Sequence, residues 1–226
     1  LASRITNCAT PRSSRPSQRS RNCRRKSIYQ PTTEIISFVG NVKIETKEKL
    51  KVGTEEIHFD QNTGIAQTDS PVSFERENVS GTSTGAVVEQ KSKRLELKKD
   101  VQLTIAPGAS AKASSRTRPV NVKAAHGSFE QQSMQLWFSG GVTLEQEADI
   151  LSGDNLTVFL NEQRRLQKAE MRGNAYMRVM DPGRAAEVHS VNMDFFMDKD
   201  QRLERALATS DIKARTLEGD SDVEVT

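Results

Sequence analysis

Residues 156–177, "LTVFLNEQRRLQKAEMRGNAYM", lie over residues 193–214, "MDFFMDKDQRLERALATSDIKA", without a gap. Phe159 falls on Phe196, Arg165 on Arg202, Leu166 on Leu203 and Ala169 on Ala206. Leu156 with Met193, Leu160 with Met197, Asn161 with Asp198 and Lys168 with Arg205 are chemically similar pairs. A segment that recurs in this way is one supersecondary unit, unable to bury its apolar face until it stacks on its neighbours. Weaker copies lie at 57–74, 86–105 and 127–146, and short runs of the form x-V-x-φ (φ apolar) punctuate the chain. These are "NVKI" (41–44), "PVSF" (71–74), "DVQL" (100–103), "GVTL" (141–144), "NAYM" (174–177) and "DIKA" (211–214). They recur every ~30–40 residues, a spacing that marks stacked repeats.

The repeat settles the secondary structure. "NEQRRLQKAEMR" is rich in helix formers, but helix propensity is a weak prior beside a repeated pattern. Leu156, Val158 and Leu160 alternate with Asn155, Thr157 and Phe159, the two-residue period of a strand. "NEQRR" is then a hairpin turn, and Asn62-Thr63-Gly64 is another. The chain is expected to be all-β: a strand, a polar turn, a strand, then a further strand after Gly, Asp or Pro. "APGASAKASSRTRPVNVKAAHG" (106–127) breaks the pattern and reads as a long loop between sister halves. The division expected is a leader at 1–27, a half at 28–105, a loop at 106–119 and a half at 120–226, stacked into one continuous sheet structure.

Composition agrees with a thin sheet protein. Only 35% of the 226 residues are hydrophobic and 5% aromatic, which suits two layers better than a thick core. Residues 1–26 hold eight cations and no acid. Removing those eight from the formal +3 leaves about −5 for the remainder, so the body is not expected to bind nucleic acid. The leader, rich in Ser, Arg and Pro, reads as disordered or foreign. It also holds both cysteines, Cys8 and Cys23, so no disulfide staples the body. No run approaches the ~20 apolar residues of a membrane helix, and "SIYQPTTEIISF" supplies no signal-peptide h-region. The first residue is Leu1, which leaves room for an upstream signal or anchor.

Two stretches carry a family resemblance. Residues 138–177 repeat glycine, x-V-x-φ, a variable loop, an acidic or Asn-containing strand start, an alternating strand and a return to glycine. Residues 57–105 contain "DQNTGIAQTD" and "SGTSTGA". Together they resemble the OstA-like family of periplasmic lipopolysaccharide-transport proteins, the first stretch the LptA type and the second the LptC type. The resemblance implies an antiparallel β-jellyroll, open at its ends, built from hairpin units and needing no cofactor. It also implies an apolar trough for lipopolysaccharide or a similar lipid, and end strands that join other bridge proteins or further copies head to tail. The location implied is the periplasm, inner-membrane-anchored in a longer form, with an inner-membrane ABC transporter supplying the drive indirectly.

Alternation places one apolar face on Val42, Ile44, Ile57, Phe59, Val72, Phe74, Leu136, Phe138, Val142, Leu144, Leu156, Val158, Leu160, Met193, Phe195 and Met197. That face fits a lipid trough and equally a filled sandwich core, as in a structural repeat protein. Phe159 and Phe196 repeat on the opposite face, where they cover an edge, mark an interface or are turned inward by a bulge. Catalytic signals are weak. His58, His126 and His189 have no ligand spacing, there is no G-x-S-x-G elbow, and Asp198 and Asp200 sit in a turn. "GTSTG" (81–85) lacks the Lys-Ser/Thr ending of a phosphate loop. An enzyme, including a carbohydrate-active β-helix, is not expected.

Overall fold

The computed structural model describes residues 4–7, 26–30, 34–46, 49–107, 118–181, 184–218 and 221–225. They form one antiparallel sheet of 16 strands. β1 (Arg4–Asn7) and β2 (Lys26–Gln30) both pair with β3 (Ile35–Glu45). β4 (Lys51–Asp60), β5 (Ile65–Arg76), β6 (Val79–Glu89) and β7 (Arg94–Ile105) follow as a meander. β8 (Val120–Ala124) and β9 (His126–Glu130) lie between β7 and β10 (Gln135–Gln146). β11 (Asp149–Leu160), β12 (Leu166–Asp181) and β13 (Arg184–Met197) continue. β14 (Leu203–Thr209) and β15 (Lys213–Glu218) share β13, and β16 (Ser221–Val225) pairs with β15. Most of the basic leader (8–25) and the centre of the loop (108–117) lie outside the described residues.

The long strands do not run straight. Their ladders slip at Val39/Val42, Thr54/His58, Thr68/Pro71, Thr82/Thr84, Ser139/Val142, Ser152/Asn155 and Arg172/Ala175. A bulge bends a strand, and a row of bulges folds a whole sheet over. The result is the antiparallel jellyroll. One arm takes the half-strands beside β2, β9 and β14; the other takes those beside β1, β8, β15 and β16. Where those short strands lie, the chain is interrupted at the bend and supplies each arm with a separate strand.

The x-V-x-φ motif is the chemistry of that bend. Asn41, Asp100, Gly141, Asn174 and Asp211 all have positive φ, of 47°, 52°, 81°, 49° and 51°. Glycine, and Asn or Asp with a short polar side chain, occupy this region at least cost. Val42, Val101, Val142 and Ala175, next in sequence, are 0–1% exposed, among the driest positions on the strands. Pro71 departs because its ring fixes φ negative, yet Val72 after it is also buried, at 5% exposed. Ile212 departs because the chain there is between β14 and β15, and it stays 43% exposed. The sequence pattern had marked these runs as separate short strands. Five of the six are instead the second halves of bent strands of up to 16 residues, since the ladder continues through each bulge, and only "DIKA" runs into a separate strand, β15.

The turns repeat as faithfully as the strands. Asn161 N–H donates to Arg165 O, and Arg165 N–H to Asn161 Oδ1, both at 2.9 Å. Asp198 and Arg202 repeat both bonds at 2.9 Å. Thr46 and Leu50, at the far end of the sheet, form a third copy through Thr46 Oγ1 at 3.2 Å. Asn, Asp and Thr suit the position because each has a short side-chain oxygen that imitates a backbone acceptor.

Candidate functional site

All 16 residues expected on the apolar face lie in register on one face. In the first arm one row runs Phe59–Ala66–Val88–Leu95–Phe129–Leu136–Val158–Ala169–Phe195–Ala206 from strand to strand. In the second arm a row runs Ile44–Val52–Phe74–Gly81–Leu103–Val122–Leu144–Leu151–Met177–Val188. Burial divides the 16. Val42, Val72, Phe138, Val142, Leu156 and Met193, close to the bend, are buried, and so is Phe195 one row farther out, level with Leu136 and Val158. Ile44, Ile57, Phe59, Phe74, Leu136, Leu144, Val158, Leu160 and Met197, farther along the arms, are partly exposed. The face is therefore a packed floor with half-open lips.

Several members of this face escaped the sequence reading. Val101 and Leu103, Ala175 and Met177 belong to two x-V-x-φ runs, whose second and fourth positions point inward. That spacing was a usable signal. Met171 carries the same strand signal, alternating with Ala169 between Lys168, Glu170 and Arg172; it is 0% exposed and sits against Gly153.

Opening a strand at a bulge leaves backbone groups without ladder partners, and a dry floor cannot leave them bare. Among the described residues four polar side chains are buried, Thr54, Thr68, Ser83 and Ser190, and all stand at the bend. Ser83 Oγ donates to Gly85 O at 3.1 Å, Ser190 Oγ to Asn192 O at 2.9 Å and Thr54 Oγ1 to Glu56 O at 3.3 Å. Thr68 Oγ1 accepts from Ser70 N–H at 3.1 Å. These hydroxyls serve the bend and leave the floor chemically inert.

At the carboxy-terminal end the arms do not close on each other. A cavity of about 230 Å³ lies between Met177 and Val188 of the second arm and Met193, Phe195, Ala206, Leu207 and Ala208 of the first. A larger cleft of about 600 Å³, lined by polar residues such as Lys43, Ser73, Thr82 and Gln102 with Gly53 among them, lies in the amino-terminal half of the second arm. Most of its lining residues, Gln102 and Thr104 among them, belong to the outer rows, but Ile44, Val52, Phe74 and Gly81 of the inner row line it too.

Phe159 and Phe196 stay on the outer face, in the row Gln135–Phe159–Lys168–Phe196–Arg205. Lys168 Nζ is 5.0 Å from the Phe196 ring centre and the Arg205 guanidinium carbon 4.3 Å, so two cations bracket the ring. Beside it Lys168, Glu170, Arg172 and Asp194 form a ring of ion pairs. Lys168 reaches Glu170 at 2.6 Å and Asp194 at 3.3 Å; Arg172 reaches Glu170 at 3.1 Å and Asp194 at 2.6 Å. Burial pushes the Asp194 carboxyl up, but hydrogen bonds from Arg172 and then Lys168 outweigh it and hold it below 3.8. The hydrogen bond to Glu170 raises the Lys168 ammonium above 10.5.

The three histidines do not meet. His58 Nδ1 is 2.8 Å from Ser37 Oγ, His126 Nδ1 bonds Lys98 O, and the His189 ring lies 4.6 Å from that of Tyr176. Among the described residues no group of His, Cys, Asp and Glu is placed to hold a metal, and no helix is long and apolar enough to cross a membrane.

Residues 25–106 match the family model described as lipopolysaccharide-assembly, LptC-related, and residues 121–221 match that of the LptA/(LptD N-terminal domain) LPS transport protein. The chain belongs to the LptA/LptC-like family of lipopolysaccharide-transport proteins. No curated protein matches it. Members of this family are periplasmic components of a transport bridge rather than enzymes, and membership supports a role for this chain in lipopolysaccharide transport.

Proposed function

We propose that the inner face of this Lpt-family jellyroll carries the acyl chains of lipopolysaccharide, or of a similar lipid, from the inner toward the outer membrane. The observation that carries the reading is the gradient from dry floor to half-open lips. A filled sandwich core would be buried along the whole strand, whereas Phe59, Phe74, Leu136, Leu144 and Val158 keep apolar surface open to a ligand. Each methylene moved from water onto such a surface gains about 0.8 kcal/mol, so chains are held without any catalytic group. Contact falls on the nine lip residues, while the seven buried residues form the packed floor. The halves at 28–105 and 120–226 act as LptC-like and LptA-like sister units. They are joined where β7 pairs with β8 and β9. The free edges at the two ends of the sheet accept neighbouring bridge proteins or further copies by strand addition. Energy comes from an inner-membrane ABC transporter elsewhere in the bridge.

The test is a photo-crosslinking residue at Val158, with Phe159 as the opposite-face control, irradiated with lipopolysaccharide in an envelope extract. Adducts at Val158 and not at Phe159 are expected. Adducts at Phe159 alone would reverse the faces. None at either, in folded protein, would make the face a closed core and the chain a structural repeat protein.

A further inference from the structure

The cavity between the arms at the carboxy-terminal end has one wall unlike the rest. Met177, Val188, Met193 and Phe195 belong to strands with neighbours on both sides, but Ala206 and Ala208 belong to β14. Among the described residues that strand pairs with β13 alone, and residues 203–207 are all exposed. We infer that this cavity seats the end of a single acyl chain and that the seated chain stabilises β14, coupling cargo to the edge on which a neighbouring strand would add. The inference rests on the trough reading above.

Size and chemistry select the occupant. No hydroxyl, amide or charged side chain lines the cavity, which excludes a sugar or phosphate headgroup. Its volume, about 230 Å³, falls below the roughly 300–1,000 Å³ of pockets that enclose a drug-sized ligand, so one chain end fits and a whole lipid does not. Met177 and Met193 are unbranched and adapt to a flexible chain. The two alanines leave the space open: opposite them on β13 stand Phe195 and Met193, and larger side chains on β14 would close it. An edge strand held by one ladder opens readily. A ligand against its inner surface binds the closed form better than the open form, and by linkage a strand docked on β14 must tighten ligand binding by the same factor.

The experiment is hydrogen exchange on the full chain with and without tetradecanoate, comparing Leu203–Thr209 with the opposite edge, Lys26–Gln30. Exchange in β14 should slow by about 5-fold or more, within the usual range of coupling between sites, and β2 should not change. Ala208→Phe, which fills the cavity from within, should abolish the ligand-dependent slowing; Ala206→Leu is the milder second variant if the first fails to fold. Equal slowing at both edges, slowing that persists in the folded variant, or none at all would overturn the coupling. If lipopolysaccharide still labels Val158 in such a case, the trough reading stands and only this inference falls. Absence of label at Val158 overturns the trough reading itself.

Discussion

At the scale of single residues, the fold depends on where side chains are missing or unusually placed. Gly81 sits between Phe74 and Leu103 in the second-arm row, and a Cβ there would lie 2.6 Å from both side chains and 2.7 Å from Gln102 O. The Phe74 ring fills the space that a side chain would need, and the backbone oxygen cannot move without breaking a ladder. Gly81→Val should therefore cost about 1–3 kcal/mol or more, read as a lower urea midpoint. An unchanged midpoint would mean that the row is looser than its distances imply. Gly81 belongs to "GTSTG", where the pattern suggested a phosphate loop only to be set aside. The signal there was packing: a glycine one strand from an aromatic on the same face. The sequence could not show this, because Phe74 and Gly81 face each other only once the hairpin register is fixed.

At the scale of elements, the outer face of β12 and β13 shows how a strand pair can be held by charge. Glu170 and Asp194 stand directly opposite each other, an arrangement that destabilises a sheet unless cations intervene. Lys168 and Arg172, two residues before and after Glu170, supply them. The folded carboxyl of Asp194 ionises below its ordinary value of 3.8, so its contribution is complete above that pH and is lost as pH falls through the folded value. The folded ammonium of Lys168 titrates above 10.5; its contribution is complete below that pH and fades as pH rises past it. Asp194→Asn should lower the urea midpoint near pH 6 more than in acid below the folded titration of Asp194, where the wild-type carboxylate is itself protonated. An equal loss at both pH values would mean that the ring of charges is incidental. The same ring explains the outer phenylalanine: Phe196 needs no partner protein when Lys168 and Arg205 already cover it.

At the scale of the molecule, two family models meet in one physical object. The buried cluster includes Val72, Leu97 and Val101 from the region of the first match and Val122, Phe138 and Met193 from that of the second. β7 is bonded to both β8 and β9. Such a sheet should unfold as a unit: far-ultraviolet circular dichroism, which sees every strand, and the fluorescence of Trp137 should give one coincident urea transition. A circular-dichroism transition that precedes the Trp137 change would show the halves to be independent. Coincidence would also mean that lipid bound in one half stabilises the other.

Local sequence sets the all-β pattern, the turns and the alternation of the inner face, although the bent strands read there as pairs of short ones. These follow from local chemistry: alternation sets the face, Asn161, Asp198 and Thr46 close their turns with their own side chains, and Asn, Asp or Gly precedes Val42, Val101, Val142 and Ala175 where their strands bend. Tertiary structure alone decided how open that face is. Val142 and Leu144 are both alternating apolar residues of one strand, yet the first is packed and the second half-exposed, because their distances from the bend differ. That distance exists only after the row of bulges has folded the sheet. The cavity by β14 likewise arises where two arms far apart in sequence fail to close. Its alanines carry no mark of that role in the chain, because a void belongs to the surfaces around it and to no residue of its own.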